Sequence, residues 1–221
     1  MIEQRFRRDY SGEFVILETR WKDGQNHQTR EWIDNPIVNH HISGHAAVIG
    51  SRLLSHRFQY QRLQRHRGGL LGRKRLQTYG TSDLWQDMRF DFFATTDREQ
   101  VAAMVAQDYD RNSTVFTTAR ICIENPGRFY PIPYLPQIDA LAMPVYLAAF
   151  DGHEEVFMLG YCSDTPGGSR SWISDVDQVI TAYAGTAFIL IGAEGIMPTS
   201  WRSHSNVRCM AVRDFITYCD I

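Results

Sequence analysis

The stretch that decides the fold begins at Val156-Phe-Met-Leu159, turns through Gly160-Tyr161, continues over residues 171–183 and ends at Ala187-Phe-Ile-Leu-Ile191 before Gly192. Two short, continuously apolar runs flank a segment that sets Trp172, Val176, Val179 and Ile180 on one helical face, with Gly185 behind it as a C′ glycine. Strands apolar on both faces are what a parallel sheet covered on both sides requires. Strand, helix, strand in that order predicts a βαβ unit.

The same pattern extends toward the N-terminus. Ala46-Ala-Val-Ile49 leads to Gly50-Ser51, and Gln77-Thr-Tyr79 leads to Gly80-Thr-Ser-Asp83. Phe92-Phe-Ala94 leads to Thr95-Thr96-Asp97, and Thr114-Val-Phe116 to Thr117-Thr118. Toward the C-terminus, Val207-Arg-Cys-Met-Ala-Val212 reads as the last strand. Residues 98–109 read as a helix capped by Asp97, with Val101, Met104 and Val105 inward. Residues 138–150 read as another, which Pro144 either bends or resets at its start and Gly152 ends. Residues 123–137, with Pro126, Pro131, Pro133 and Pro136, read as a loop that serves as lid or packing strap.

Residues 45–221 are therefore expected to form a Rossmann-like, doubly wound α/β domain with a mainly parallel sheet of about six or seven strands. Val48, Ile49, Phe93, Phe116, Phe157, Leu159, Ile189 and Ile191 are its expected core. Residues 1–44 are expected to be an N-terminal β-hairpin arm. Glu13 to Trp21 and His27 to Ile33 would pair around Asp23-Gly24, with Trp21 and Trp32 packed on the main domain or a second subunit.

The chain has 221 residues, is 43% hydrophobic and 22% charged, and carries a net charge of -2. These values exclude disordered and collagen-like classes. Its longest apolar runs are too short to span a bilayer, so no membrane partner is expected. Charge is unevenly distributed. Residues 35–82 contain no Asp or Glu but hold Arg52, Arg57, Arg62, Arg65, Arg67, Arg73, Lys74 and Arg75. Such a block suits a phosphate or an acidic partner, or a solvated face. Cys122, Cys162, Cys209 and Cys219 form no CxxC pair and read as reduced thiols, in keeping with a cytoplasmic setting.

Ligands of open α/β sheets sit beyond the carboxyl ends of the strands. The expected ligand-binding residues are therefore Gly50, Ser51, Arg52, Gly80, Thr81, Ser82, Asp83, Thr96, Asp97 and Tyr161. Gly50 admits close approach, Ser51 can cap a helix, and Arg52 offers a forked cation to phosphate. The hydroxyls and carboxylate of residues 81–83 suit a ribose or sugar. Asp97 reads first as a helix cap. No full G-x-G-x-x-G or Walker lysine motif is present, although Gly68-Gly69 through Lys74 could grip an anion. His40, His41 and His45 share one loop without an acidic neighbour and read as structural; no metal site is expected. Asp151 and His153, around Gly152, read as capping residues, and Trp172 and Trp201 as packing.

Taken in order, Ala46-Ala-Val-Ile-Gly-Ser51, Gln77-Thr-Tyr-Gly-Thr-Ser-Asp-Leu-Trp85, Asp91-Phe-Phe-Ala-Thr-Thr-Asp97 and Glu155-Val-Phe-Met-Leu-Gly-Tyr161 carry a resemblance over residues 46–215. The chain resembles phage-encoded Rossmann-like proteins of unknown role. Those are similar in turn to archaeal-type hydroxymethylpterin pyrophosphokinases and sialyltransferase-like glycosyltransferases. The resemblance implies a nucleotide-phosphate loop at Gly50-Ser51 and an acidic loop at Asp97. It departs where Arg52-Leu53 replaces glycine-proline and where Leu159-Gly160-Tyr161-Cys162 lacks a closing acid. It implies a nucleotide- or nucleotide-sugar-binding protein, a glycosyl- or pyrophosphoryl-transferase in its active form, working in a host cytoplasm. The alternative is a non-enzymatic virion component or host-interaction protein, whose partners are other phage proteins. A nucleic-acid binder using residues 52–75 ranks third. The sequence assigns no catalytic residue and no cofactor; it is compatible with a homo-oligomer.

Overall fold

The computed structural model describes residues 2–6, 13–34, 43–51, 58–66, 76–133, 138–161, 171–192 and 197–219. Arg52, the basic run 67–75 and Cys162 lie outside these described residues, as do the side chains of Trp21 and Trp32.

The N-terminal segment forms an antiparallel sheet of three strands, ordered β1 (Ile2–Phe6), β2 (Glu13–Lys22), β3 (Gln25–Asp34). The hairpin between β2 and β3 closes through Asp23 and Gly24, at φ 52° and 77°. Two successive positive φ values give the right-handed hairpin twist that an Asp-Gly pair adopts readily. The expected hairpin is present, and β1 pairs along it from Ile2 opposite Glu18 to Phe6 opposite Phe14. That third strand escaped the sequence reading because Ile2-Glu-Gln-Arg-Phe6 is short and mostly polar.

The main body is an α/β sandwich with eight strands, all parallel: β4 (His45–Ile49), β5 (Leu76–Thr81), β6 (Phe92–Ala94), β7 (Thr114–Thr117), β8 (Tyr130–Pro131), β9 (Glu155–Leu159), β10 (Ala187–Ile191) and β11 (Val207–Met210). Their spatial order is β11-β10-β9-β4-β5-β6-β7-β8. The chain lays down β4 to β8 outward in one direction. It then returns to the other side of β4 and lays down β9 to β11, a Rossmann-like doubly wound arrangement. The helices are α1 (Arg98–Ala106), α2 (Ala119–Glu124), α3 (Met143–Asp151), α4 (Ser171–Ala182) and α5 (Val212–Cys219).

Strand alternation sends Ala46, Val48, Val156, Met158, Phe188 and Leu190 to one face, under α3 and α4. Ala47, Ile49, Phe157, Leu159, Ile189 and Ile191 point to the other, toward α1, α2, α5 and residues 58–63. All eight expected core residues are buried. Trp172 and Trp201 pack edge to face at 5.7 Å, and the Trp201 indole donates to the Ile173 carbonyl.

Several details differ from the expectations. Of the expected loop at 123–137, residues 134–137 lie outside the described residues, and 123–133 are not a plain loop: they include the end of α2 and the short edge strand β8, where Pro131 sits at a position needing no ladder N–H on its outer side. α3 starts at Met143 and not at residue 138; Pro144 lies in its first turn, where its missing N–H is tolerated, so of its two expected effects it resets the start and does not bend the helix. Asp151 and His153 serve the core. The Tyr79 hydroxyl donates to Asp151 Oδ2 at 2.9 Å and lies 2.8 Å from His153 Nε2, with all three side chains fully buried. His153 Nδ1 lies 2.8 Å from the Ser43 carbonyl. This polar knot ties β5, the end of α3 and the entry to β4 together. Burial first, then the Asp151 carboxylate, push the Tyr79 hydroxyl well above its ordinary pKa. Among the described residues no helix is long and apolar enough to cross a membrane.

Candidate functional site at the carboxyl edge of the sheet

Strand order reverses between β4 and β9. The two strands run in register, His45 opposite Glu155 through Ile49 opposite Leu159, so their carboxyl ends finish side by side. The Gly50 amide extends the ladder to the Leu159 carbonyl at 2.9 Å. Ser51 Oγ donates to the Gly160 carbonyl at 2.8 Å, and the Tyr60 hydroxyl donates to the Ser51 carbonyl at 2.8 Å.

Both glycines are required by this contact. Gly160 has φ +76°, and a Cβ there would lie 2.5 Å from the Ser51 carbonyl oxygen. A Cβ on Gly50 would lie 2.6 Å from the Tyr161 ring. Tyr161 is thus laid across Gly50, 2% exposed, its hydroxyl donating to the Leu141 carbonyl at 2.7 Å and its ring edge-on to Trp172. Burial, and secondarily the Asp139 carboxylate, hold its phenol well above the ordinary range, so it is neutral.

The neighbouring strand ends carry the other expected residues. Gly80 is inside β5, paired with Phe93 of β6, and its missing side chain makes room for the Phe90 ring. It is a packing residue, not a loop residue. Thr81 ends β5 and donates to the Ala94 carbonyl. Ser82, at φ 60°, accepts from the Gln100 side chain through its carbonyl, which joins this turn to α1. Asp83 and Thr96 are exposed. Asp97 Oδ1 accepts from the amides of Glu99 and Gln100 at 2.8 and 3.4 Å, the helix-cap role expected of it.

The chain thus brings nine of the ten expected residues to or beside one edge, across the consecutive strands β9, β4, β5 and β6; the tenth, Arg52, follows Ser51 in sequence but is outside the described residues. Three further groups belong to this edge and were not singled out from sequence. Tyr60 supports Ser51. Thr118 caps α2 by accepting from the Ile121 amide. Asp139 accepts from the Leu141 amide and the Ser171 hydroxyl, beside Tyr161. Thr118 was findable as a Thr before a short apolar run; the meeting of Asp139 with Ser171 depends on the fold. Among the described residues no three His, Cys, Asp or Glu side chains are placed to hold a metal ion. Chemically, the edge offers hydroxyls, carboxylates and a close pair of glycine turns. Compared with known proteins, the chain matches no family model, no curated protein and no solved structure.

Proposed function

We propose that the chain binds a nucleotide or nucleotide-sugar at the carboxyl edge of the eight-stranded sheet and acts there as a transferase of the glycosyl or pyrophosphoryl type. The reading rests on one observation: strand order reverses between β4 and β9, and the turns Gly50-Ser51 and Gly160 meet directly beyond that point. In open α/β sheets this crevice is where ligands bind. Ser82, Asp83 and Thr96 stand on the adjoining strand ends, hydroxyl and carboxylate groups of the kind that bind ribose or sugar. Arg52 supplies the phosphate contact. A charge-assisted hydrogen bond of this kind is worth about 1.5–3 kcal/mol. Arg52→Ala should therefore weaken a phosphate-bearing ligand by roughly 10- to 150-fold. Isothermal titration of the whole chain with nucleoside diphosphates and nucleotide sugars tests the proposal. Affinities no tighter than millimolar across the panel would overturn it.

A second reading draws on a different observation. The Tyr161 ring lies on Gly50, and Asp97 and Thr118 already satisfy the amino ends of α1 and α2. Capped helix ends have fewer free N–H groups for a phosphate. In this reading the chain is a non-enzymatic phage protein, either a virion component or a factor that engages host proteins. Mass spectrometry of purified particles separates the virion version from the rest.

A further inference from the structure

Tyr79, Asp151 and His153 meet where water does not reach, and their contacts require more protons than a phenol, a carboxylate and a neutral imidazole bring. The Asp151 and His153 side chains are both 0% exposed. His153 Nδ1 lies 2.8 Å from the Ser43 carbonyl, which can only accept, so Nδ1 carries a proton. The Tyr79 hydroxyl makes two short contacts, 2.9 Å to Asp151 Oδ2 and 2.8 Å to His153 Nε2. Each contact of that length needs a proton between its two atoms. The hydroxyl supplies one, to Asp151. His153 supplies the other through Nε2, which makes its ring an imidazolium.

Electrostatics lead to the same proton. A carboxylate buried without a counter-charge is costly enough to change its protonation instead. Beside a neutral His153 the knot would carry the lone charge of Asp151; an imidazolium 3.3 Å away cancels it. His153 also stands just beyond the end of α3 at Asp151, and a helix C-terminus favours a cation. The other acids on the surrounding elements act in the same sense. Asp91, at the entry to β6, acts on Tyr79 through space, and the Glu154 side chain lies against Gly44, next to Ser43. His45 and Glu155 belong to the opposite sheet face, with Phe157 and Tyr218.

We propose that these three residues form a buried, pH-sensitive lock: at neutral pH His153 is an imidazolium that donates through Nδ1 to Ser43 and through Nε2 to Tyr79, which donates to the Asp151 carboxylate. The lock joins the entries of β4 and β9, the paired strands that lead to Gly50 and Gly160 at their other ends. Without the extra proton, two acceptors compete for one hydroxyl and the carboxylate is left without a counter-charge. The folded chain thus keeps a proton that an unfolded histidine gives up near pH 6.5. The stability it brings is fully present below about pH 6.5 and is lost as pH rises through release of the folded proton. Over that range the unfolding constant should climb by up to about tenfold per pH unit.

Nitrogen-15 NMR of the whole chain tests the lock. At about pH 7.5, a unit above the ordinary histidine value, both ring nitrogens of His153 should bear protons. In Asp151→Asn the carboxamide can donate to Tyr79 and Tyr79 to Nε2, so a neutral ring satisfies every contact. His153 in that variant should show a bare Nε2 at the same pH, and the climb in its unfolding constant should be shallower. A purely structural role for Asp151 would not move the ring signal. A bare Nε2 in the unmodified chain overturns the proposal, whether one hydroxyl proton is then shared or the extra proton sits on Asp151. An imidazolium that persists in Asp151→Asn, or an equal climb in both proteins, overturns it too. If the variant fails to fold by circular dichroism, the spectrum of the unmodified chain decides.

Discussion

At Gly160 two demands fall on one backbone position. Its φ of +76° disfavours any side chain, and a Cβ would strike the Ser51 carbonyl. Left-handed strain and overpacking each cost about 1–3 kcal/mol. Gly160→Ala should thus destabilise the fold by about 3 kcal/mol in urea unfolding. A loss under about 1 kcal/mol would mean that the turn relaxes freely and that Gly160 is not needed for packing. Tyr79 makes a different argument. Its hydroxyl is the shared partner of Asp151 and His153 in a region without solvent. Tyr79→Phe leaves both with a lost partner, at a cost of about 1–3 kcal/mol. Unchanged stability in that variant would remove the polar knot from the account of the core.

At the scale of an element, α1 separates two roles for one carboxylate. Asp97 caps the helix through Oδ1 and lies on the candidate edge, exposed. Replacing a cap by alanine costs about 0.5–2 kcal/mol, whereas asparagine caps nearly as well. Asp97→Ala should lower stability by about 1 kcal/mol, and Asp97→Asn should restore it. Ligand binding measured on the stable Asn variant then reports the charge alone. If Asp97→Asn is as unstable as Asp97→Ala, the cap is not what holds α1 in place.

Across the whole molecule, Glu155 gathers three elements at the amino edge. It accepts from Tyr218 of α5 at 2.6 Å and from Arg208 of β11 at 2.8 Å, and lies 3.2 Å from His45 of β4. Burial, and then the Glu155 hydrogen bond, raise the Tyr218 phenol to about 12. Tyr79 is raised in the same direction. The native state therefore keeps protons that the unfolded chain gives up near pH 10. The stability this brings is fully present below about pH 10 and is lost as pH rises toward about 12. The urea midpoint should fall across that window, and the fall should be shallower in Tyr218→Phe. An equal fall in both proteins would place the alkaline loss elsewhere.

Local chemistry alone determined much of this architecture. Phe92-Phe-Ala94 and Ala187–Ile191 are strands with the limits that the sequence suggested, because continuous apolar runs between small polar residues have few other ways to be buried. Asp23-Gly24 specifies its own turn, and Asp97 its own cap, through bonds to residues two or three positions away. Tertiary structure decided what rests on distant partners. Tyr130-Pro131 becomes a strand only because β7 offers an open edge. Gly80 reads as a loop residue until the Phe90 ring claims its space. Asp151 and His153 look like a helix end until Tyr79, more than 70 positions earlier, arrives between them. The placing of Gly50 beside Gly160, 110 positions apart, comes from the strand order. No periodicity or capping rule reaches that far, since the contact exists only after the sheet has closed around β4.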